Sequence, residues 1–212
     1  MARSGLVLLV VSALVVLTGP AHAESPRRAA PGRFTASERG ALLRGGTVAR
    51  PVRFTRGNDG SYIGGVSYQV VRATPARVLA ALASVDTLPH ALPRTESARL
   101  LASTGRTAKV EITQGKAPFL VTYTVNVAQA ADGHALHFWL DPTRPHDVRD
   151  VWGYVRVRPF GRGTSLVTLA VALDLGPGIA RALFSDRIER MILRAPARIR
   201  EYVEPERLTS VR

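Results

Sequence analysis

Apolar positions change their spacing along this chain. From Tyr62 to Asp174 they mostly recur every second residue, and after Pro177 every third or fourth. The first spacing reads as strands and the second as a helix. Phe184, Ile188, Met191, Ile192, Ala195, Ile199, Tyr202 and Val203 all fall on one helical stripe. Arg187, Arg190, Arg194 and Arg198 fall on the neighbouring flank. A helix over 177–203 would be roughly 37 Å long at 1.5 Å per residue. Pro196 sits inside it and predicts a kink near 192–195, because it removes one backbone donor and clashes one turn back.

Upstream, 62–72 is the first clear strand, with Val66, Tyr68 and Val70 on one face. Thr74-Pro75 supplies an N-cap and first residue for a helix over 74–83, and 86–92 reads as a second short helix closed by Pro93. Six further strands are expected at 95–103, 107–113, 118–128, 135–140, 151–160 and 165–174. Glycine-bearing turns separate most of them, so neighbours should run antiparallel. Nearer the N-terminus, Thr35-Ala36-Ser37-Glu38 is a capping box that predicts a short helix from Ala36 to Leu43. Gly45-Gly46 ends it, and 47–55 reads as an edge segment marked by Pro51. A long helix with a wide apolar face needs a large partner, and the rest of the chain offers mostly strands. The expected fold is α+β, a curved antiparallel sheet wrapped around a C-terminal helix over 62–204. Residues 35–61 precede it as a short helix and edge segment, and 205–212 follow as a tail.

Composition adds a compartment and removes several chemistries. Arg3, an apolar run from Leu6 to Leu17, and Ala21-His22-Ala23 read as a secretory signal over 1–23 cleaved after Ala23. The run is short for a membrane span, though retention as an anchor is the alternative. A flexible Pro/Arg/Ala linker over 24–34 follows. The mature protein is therefore expected to be periplasmic or secreted. Cysteine is absent, which excludes disulfides, thiolate metal sites and a cysteine nucleophile. The net charge of +13 is carried almost wholly by arginine. The arginines are scattered, without interleaved aromatics, and the leader places the chain away from nucleic acid, so no nucleic-acid partner is expected. The arginine flank of the last helix reads as a solvated face, or as a transient contact with anionic membrane surface.

Four segments resemble the helix-grip superfamily of START domains, polyketide cyclases and coenzyme Q-binding-like proteins (SRPBCC). They are Ala73-Thr74-Pro75-Ala76-Arg77-Val78 after the first strand, Leu88-Pro89-His90-Ala91-Leu92-Pro93, the hairpin from Val155 to Val167, and the closing Ile199-Arg200-Glu201-Tyr202-Val203. The resemblance implies an apolar tunnel between sheet and long helix that holds a lipid-like, isoprenoid-like or polycyclic molecule. It also implies an alternative use of the same cavity by a cyclase/aromatase- or dehydratase-like enzyme; a third reading is a protein interaction module whose cavity has filled in, using the 139–154 segment and the doubly apolar last strand. The leader departs from most members, which are cytosolic.

Candidate ligand contacts follow from alternation. Val121, Tyr123, Val125 and Val127 should face the helix. In 151–158 either face could line the cavity: the valines, or Trp152, Tyr154 and Arg156, with Arg156 meeting a ligand carboxylate or phenolate. Both faces of 166–174 are apolar, so that strand is covered twice or sits in an interface. The segment from Trp139 to Tyr154 holds both tryptophans, His146 and three aspartates. It reads equally as a lid, with Trp139, Trp152 and His146 on the ligand, or as a rigid hairpin whose aspartates and arginines pair. From the helix, Phe184, Ile188 and Met191 complete the candidate set. Asp141, His146 and Asp150 suit a divalent ion by type but not by spacing, so neither a metal nor a cofactor is expected. No nucleophile motif is present, and a His146–Asp150 acid/base pair is possible but not demanded by the spacing.

Overall fold

The computed structural model describes residues 34–57, 60–117 and 119–204. The expected leader, the linker up to residue 33 and the tail from 205 lie outside the described residues. The chain opens with α1 (Ala36–Leu43), β1 (Thr47–Pro51), β2 (Phe54–Arg56) and β3 (Gly60–Val71). Then come α2 (Pro75–Ala83), a 3-10 turn (Val85–Thr87) and α3 (Leu88–Ala91). A meander follows: β4 (Thr95–Thr104), β5 (Thr107–Lys116), β6 (Phe119–Gln129), β7 (Ala135–Leu140), β8 (Asp150–Gly161) and β9 (Thr164–Asp174). The chain closes with α4 (Ile179–Leu193) and α5 (Ala195–Val203).

The strand pairings among the described residues are antiparallel, and the order across the sheet is β1-β3-β9-β8-β7-β6-β5-β4, with β2 folded back on β3. The caps act as the sequence suggests. The Thr35 side chain accepts from Glu38 N–H while Glu38 accepts from Thr35 N–H, and Thr74 caps α2 ahead of Pro75. The long C-terminal helix is broken into two at Arg194, one residue before Ala195-Pro196 open α5. Proline's missing donor explains the break.

The inner face of the sheet carries the odd-numbered residues of β3, β8 and β9. Val71, Val157 and Val167 pack there against Val78 of α2, Ala91 of α3, and Ile199 and Val203 of α5. A second group on the same face, Ile63, Val110, Ile112, Tyr123, Val125, Leu140, Val151 and Leu173, packs with Ile188 and Ile192 of α4. The outer face is covered too. Leu42 of α1 and Phe34 pack on Tyr68, Val70 and Leu166. That is why β9 is apolar on both faces. β3 bends at Gly64 and Gly65, with φ of 145° and 135°. A Cβ at either would fall 2.1 Å from Val171 O or 2.2 Å from Arg50 O, so glycine is required at both.

Candidate functional site

The helices cover the inner face unevenly. α5 lies over the ends of β3 and β9, where Ile199 is 1% exposed and Val203 4%. Further along, one cross-strand row runs through the middle of the sheet: Gly65, Val171, Gly153, Phe138, Val127 and Ala108. All share the inner face, yet five of them are only half-buried. These inward-facing apolar side chains, still reached by water at the margin of the core, outline an incompletely covered strip, the candidate hollow. Leu88 and Leu92 of α3 and its flank, with Ile188 and Ile192 of α4, stand opposite and are also half-buried. Gly153 shapes the floor. A Cβ there would lie 2.7 Å from the ring of Phe138 and 2.2 Å from Ala170 O, so the ring rests directly on the backbone of β8. Beside the row, Ile112, Val125 and Leu140 are close-packed at 4–6% exposure. The site is thus a strip beside a packed core.

Tyr123 sits in that core. Its hydroxyl donates to Gln114 Oε1 at 2.6 Å, and Gln114 Nε2 in turn donates to Pro93 O and Thr95 Oγ1. Burial pushes the Tyr123 phenol far above its ordinary range, so it serves as a neutral donor. Ile188 packs against that core, and Phe184 and Met191 are half-buried on the same helix.

Four expected cavity residues lie on the other side of the sheet. β8 places Val151, Val155 and Val157 inward, so Trp152, Tyr154 and Arg156 face outward with Trp139 of β7. Trp152 packs beside Phe54 and Tyr62, and Arg156 lies 5.8 Å over the Tyr154 ring. Trp139 is 42% exposed. The aromatic weight of this strand serves an outer layer built with the β2–β3 hairpin. Sequence patterning missed Phe138, although Leu136, Phe138 and Leu140 alternate in β7.

His146 is on the exterior. Its Nδ1 meets Val148 O at 2.7 Å, two residues away. The loop that carries it is pinned at several points. Asp141 Oδ1 accepts from both N–H and Oγ1 of Thr143, Asp141 pairs with Lys109 Nζ at 2.5 Å, and Asp147 accepts from Thr122 N–H at 2.7 Å. The Lys109 ammonium and then Thr143 hold the Asp141 carboxyl down at about 2. Asp150 accepts from the Tyr62 hydroxyl, whose own pKa is pushed up to about 12 chiefly by burial. The loop is tied down by partners outside it, so it matches neither the lid nor a hairpin whose aspartates and arginines pair with each other. Its aspartates are engaged separately, and His146 meets Val148 O while Asp150 meets the Tyr62 hydroxyl, so the two are not held as an acid/base pair. Among the described residues, no group of three or more His, Asp or Glu is placed to hold a metal ion, and no helix is long and apolar enough to cross a membrane.

The family model described as "Polyketide cyclase / dehydrase and lipid transport" matches residues 65–204. Three solved structures show the same fold. The STAR-related lipid transfer protein of Xanthomonas axonopodis is 13% identical, with 72% of this chain and 98% of that one covered and a TM-score of 0.56. The human StarD13 lipid transfer and protein localization domain is 13% identical, with 80% and 95% covered and a TM-score of 0.54. The Zhui aromatase/cyclase of Streptomyces sp. R1128 is 14% identical, with 74% and 94% covered and a TM-score of 0.54. No curated protein matches the chain.

Proposed function

For a chain that belongs to the polyketide cyclase/dehydrase and lipid transport family, we propose binding of a hydrophobic small molecule, lipid or isoprenoid-like, in the hollow between sheet and C-terminal helices. One observation carries this reading: the half-buried apolar row beside a close-packed cluster on the same face. A ligand laid along Val127, Phe138 and Val171 would remove their remaining exposed area from water, at roughly 25 cal/mol per Å2 before costs. The half-buried side chains named for the hollow are all apolar. The Tyr123–Gln114 network in the adjoining core donates and accepts hydrogen bonds, and burial keeps the Tyr123 phenol neutral. That supports holding or carrying a ligand over cyclase-type chemistry in the same space. Ile188, Phe184 and Met191 would form the helical wall.

The proposed setting is periplasmic or secreted, after cleavage following Ala23, with transient contact at a membrane surface. N-terminal sequencing of the exported protein tests the cleavage. Native mass spectrometry of the protein purified from its own compartment, followed by organic extraction, tests the binding. A lipid-sized adduct is expected. A bare mass that persists after incubation with a lipid extract would overturn the proposal.

A further inference from the structure

A second recess lies on the far flank of α4 and does not depend on what the hollow holds. β1 ends the strand order, so one of its backbone edges has no strand neighbour among the described residues. Just past β1, Val52 N–H donates to Gly64 O at 2.9 Å. Antiparallel alternation gives Arg50 and Val48 the same orientation. The backbone N–H and C=O of Ala49 and Thr47 then turn to the free edge. Their side chains share the inner face with Ser67 and Gln69, their register partners. There Ala49, Pro51 and Leu193 help line a cleft of about 590 Å3 between β1 and α4.

The charges of this cleft are unevenly satisfied. Arg53 Nε meets Glu189 at 2.6 Å and Arg53 Nη2 meets Asp186 at 2.5 Å, so one guanidinium occupies both carboxylates. Arg190 and Arg194 line the same cleft, are exposed, and form no ion pair among the described residues. The free strand edge thus borders a cleft lined in part by Ala49, Pro51 and Leu193 and by two guanidinium groups outside any ion pair among the described residues.

We propose that this cleft binds an extended, acidic peptide segment of a partner protein, added as a strand to β1. Main-chain hydrogen bonds to Ala49 and Thr47 would supply affinity. Alternate side chains would point into the cleft, where carboxylates meet Arg190 and Arg194 in charge-assisted, bidentate geometry. Pro51 has no N–H and ends the ladder, so the contact is short and the complex exchanges readily. The family match begins at residue 65. The site therefore joins a family helix to a strand that the match does not include.

The test is a titration of the isotope-labelled full chain with an acetylated, amidated heptapeptide alternating glutamate and valine. A lysine–valine counterpart and a backbone N-methylated version serve as comparisons. Amide shifts are expected at Thr47–Pro51 and from Arg190 to Arg194, with affinity at least tenfold weaker for both comparison peptides. Ala49→Pro should abolish the shifts, since it removes a free-edge donor. Should that variant not fold, Arg190→Glu with Arg194→Glu, both at exposed helix positions, should reverse the preference toward the lysine peptide. Shifts confined to other surfaces, or binding indifferent to N-methylation and charge, would overturn the proposal. So would sedimentation showing that the β1 edge is instead closed by a second copy of the chain.

Discussion

Asp141 is the most heavily tied acidic side chain in the β7–β8 loop, and its chemistry sets a pH dependence. Its ordinary value of 3.8 is lowered to about 2, first by Lys109 and then by Thr143. A carboxyl depressed in the folded state contributes stability above its unfolded value, and that contribution fades as pH falls from about 3.8 toward 2. Asp141→Asn is expected to cost about 1–3 kcal/mol in urea unfolding at pH 7. The gap to the parent should close across that acid window, and an equal gap at pH 2 and pH 7 would contradict the assignment. Gly153 gives a second test at this scale. Its missing side chain lets Phe138 lie on β8. Gly153→Ala must push back both the ring and Ala170 O, and overpacking of this kind costs about 1–3 kcal/mol. A thermal melt unchanged from the parent would show that the ring has room to move.

At the scale of elements, the two halves of the broken helix differ in how they are held. α5 buries Ala195, Pro196, Ile199 and Val203. α4 faces the hollow with half-buried isoleucines and is tied to the segment after β1 by Arg53. Arg53→Ala leaves the buried Glu189 carboxylate without its guanidinium partner. Amide exchange should then quicken in α4 while α5 keeps its protection, and uniform quickening would mean that the helices open as one unit. The sequence revealed most of these elements. The capping box, the Thr74-Pro75 start, the turn glycines and the Pro196 break are local signals read from a few neighbouring residues. The face of β8 was not legible. Its valines and its aromatics both look like core because both faces are covered, one by the helices and one by the hairpin bearing Phe54 and Tyr62. Alternation reports that two faces differ, and it names the inner one only when the other is polar. The β7–β8 loop misled for a related reason. Its dense mix of Trp, His and Asp resembles a ligand-facing lid, but each aspartate is engaged by a protein partner: Lys109 and Thr143 for Asp141, Thr122 N–H for Asp147 and the Tyr62 hydroxyl for Asp150.

At the scale of the whole molecule, the question is whether the hollow is a separate feature or loose packing at the margin of the core. Val125 and Val127 decide it, because they are neighbours on one strand and one face with opposite surroundings. Val125 is 4% exposed inside the packed cluster, whereas Val127 is half-buried in the row that borders the hollow. Val127→Phe puts a larger apolar group into space that is already open, so it should barely alter the melting temperature. It should weaken a fluorescent fatty-acid probe at least tenfold by filling its place. Val125→Ala removes buried volume where nothing can replace it, and costs about 2 kcal/mol by the cavity rule. That variant should still bind the probe. A hollow built for a ligand separates these two effects. If instead Val127→Phe destabilises the fold as much as Val125→Ala does and leaves probe binding intact, the half-buried row is imperfect packing, and the carrier reading loses the observation on which it stands.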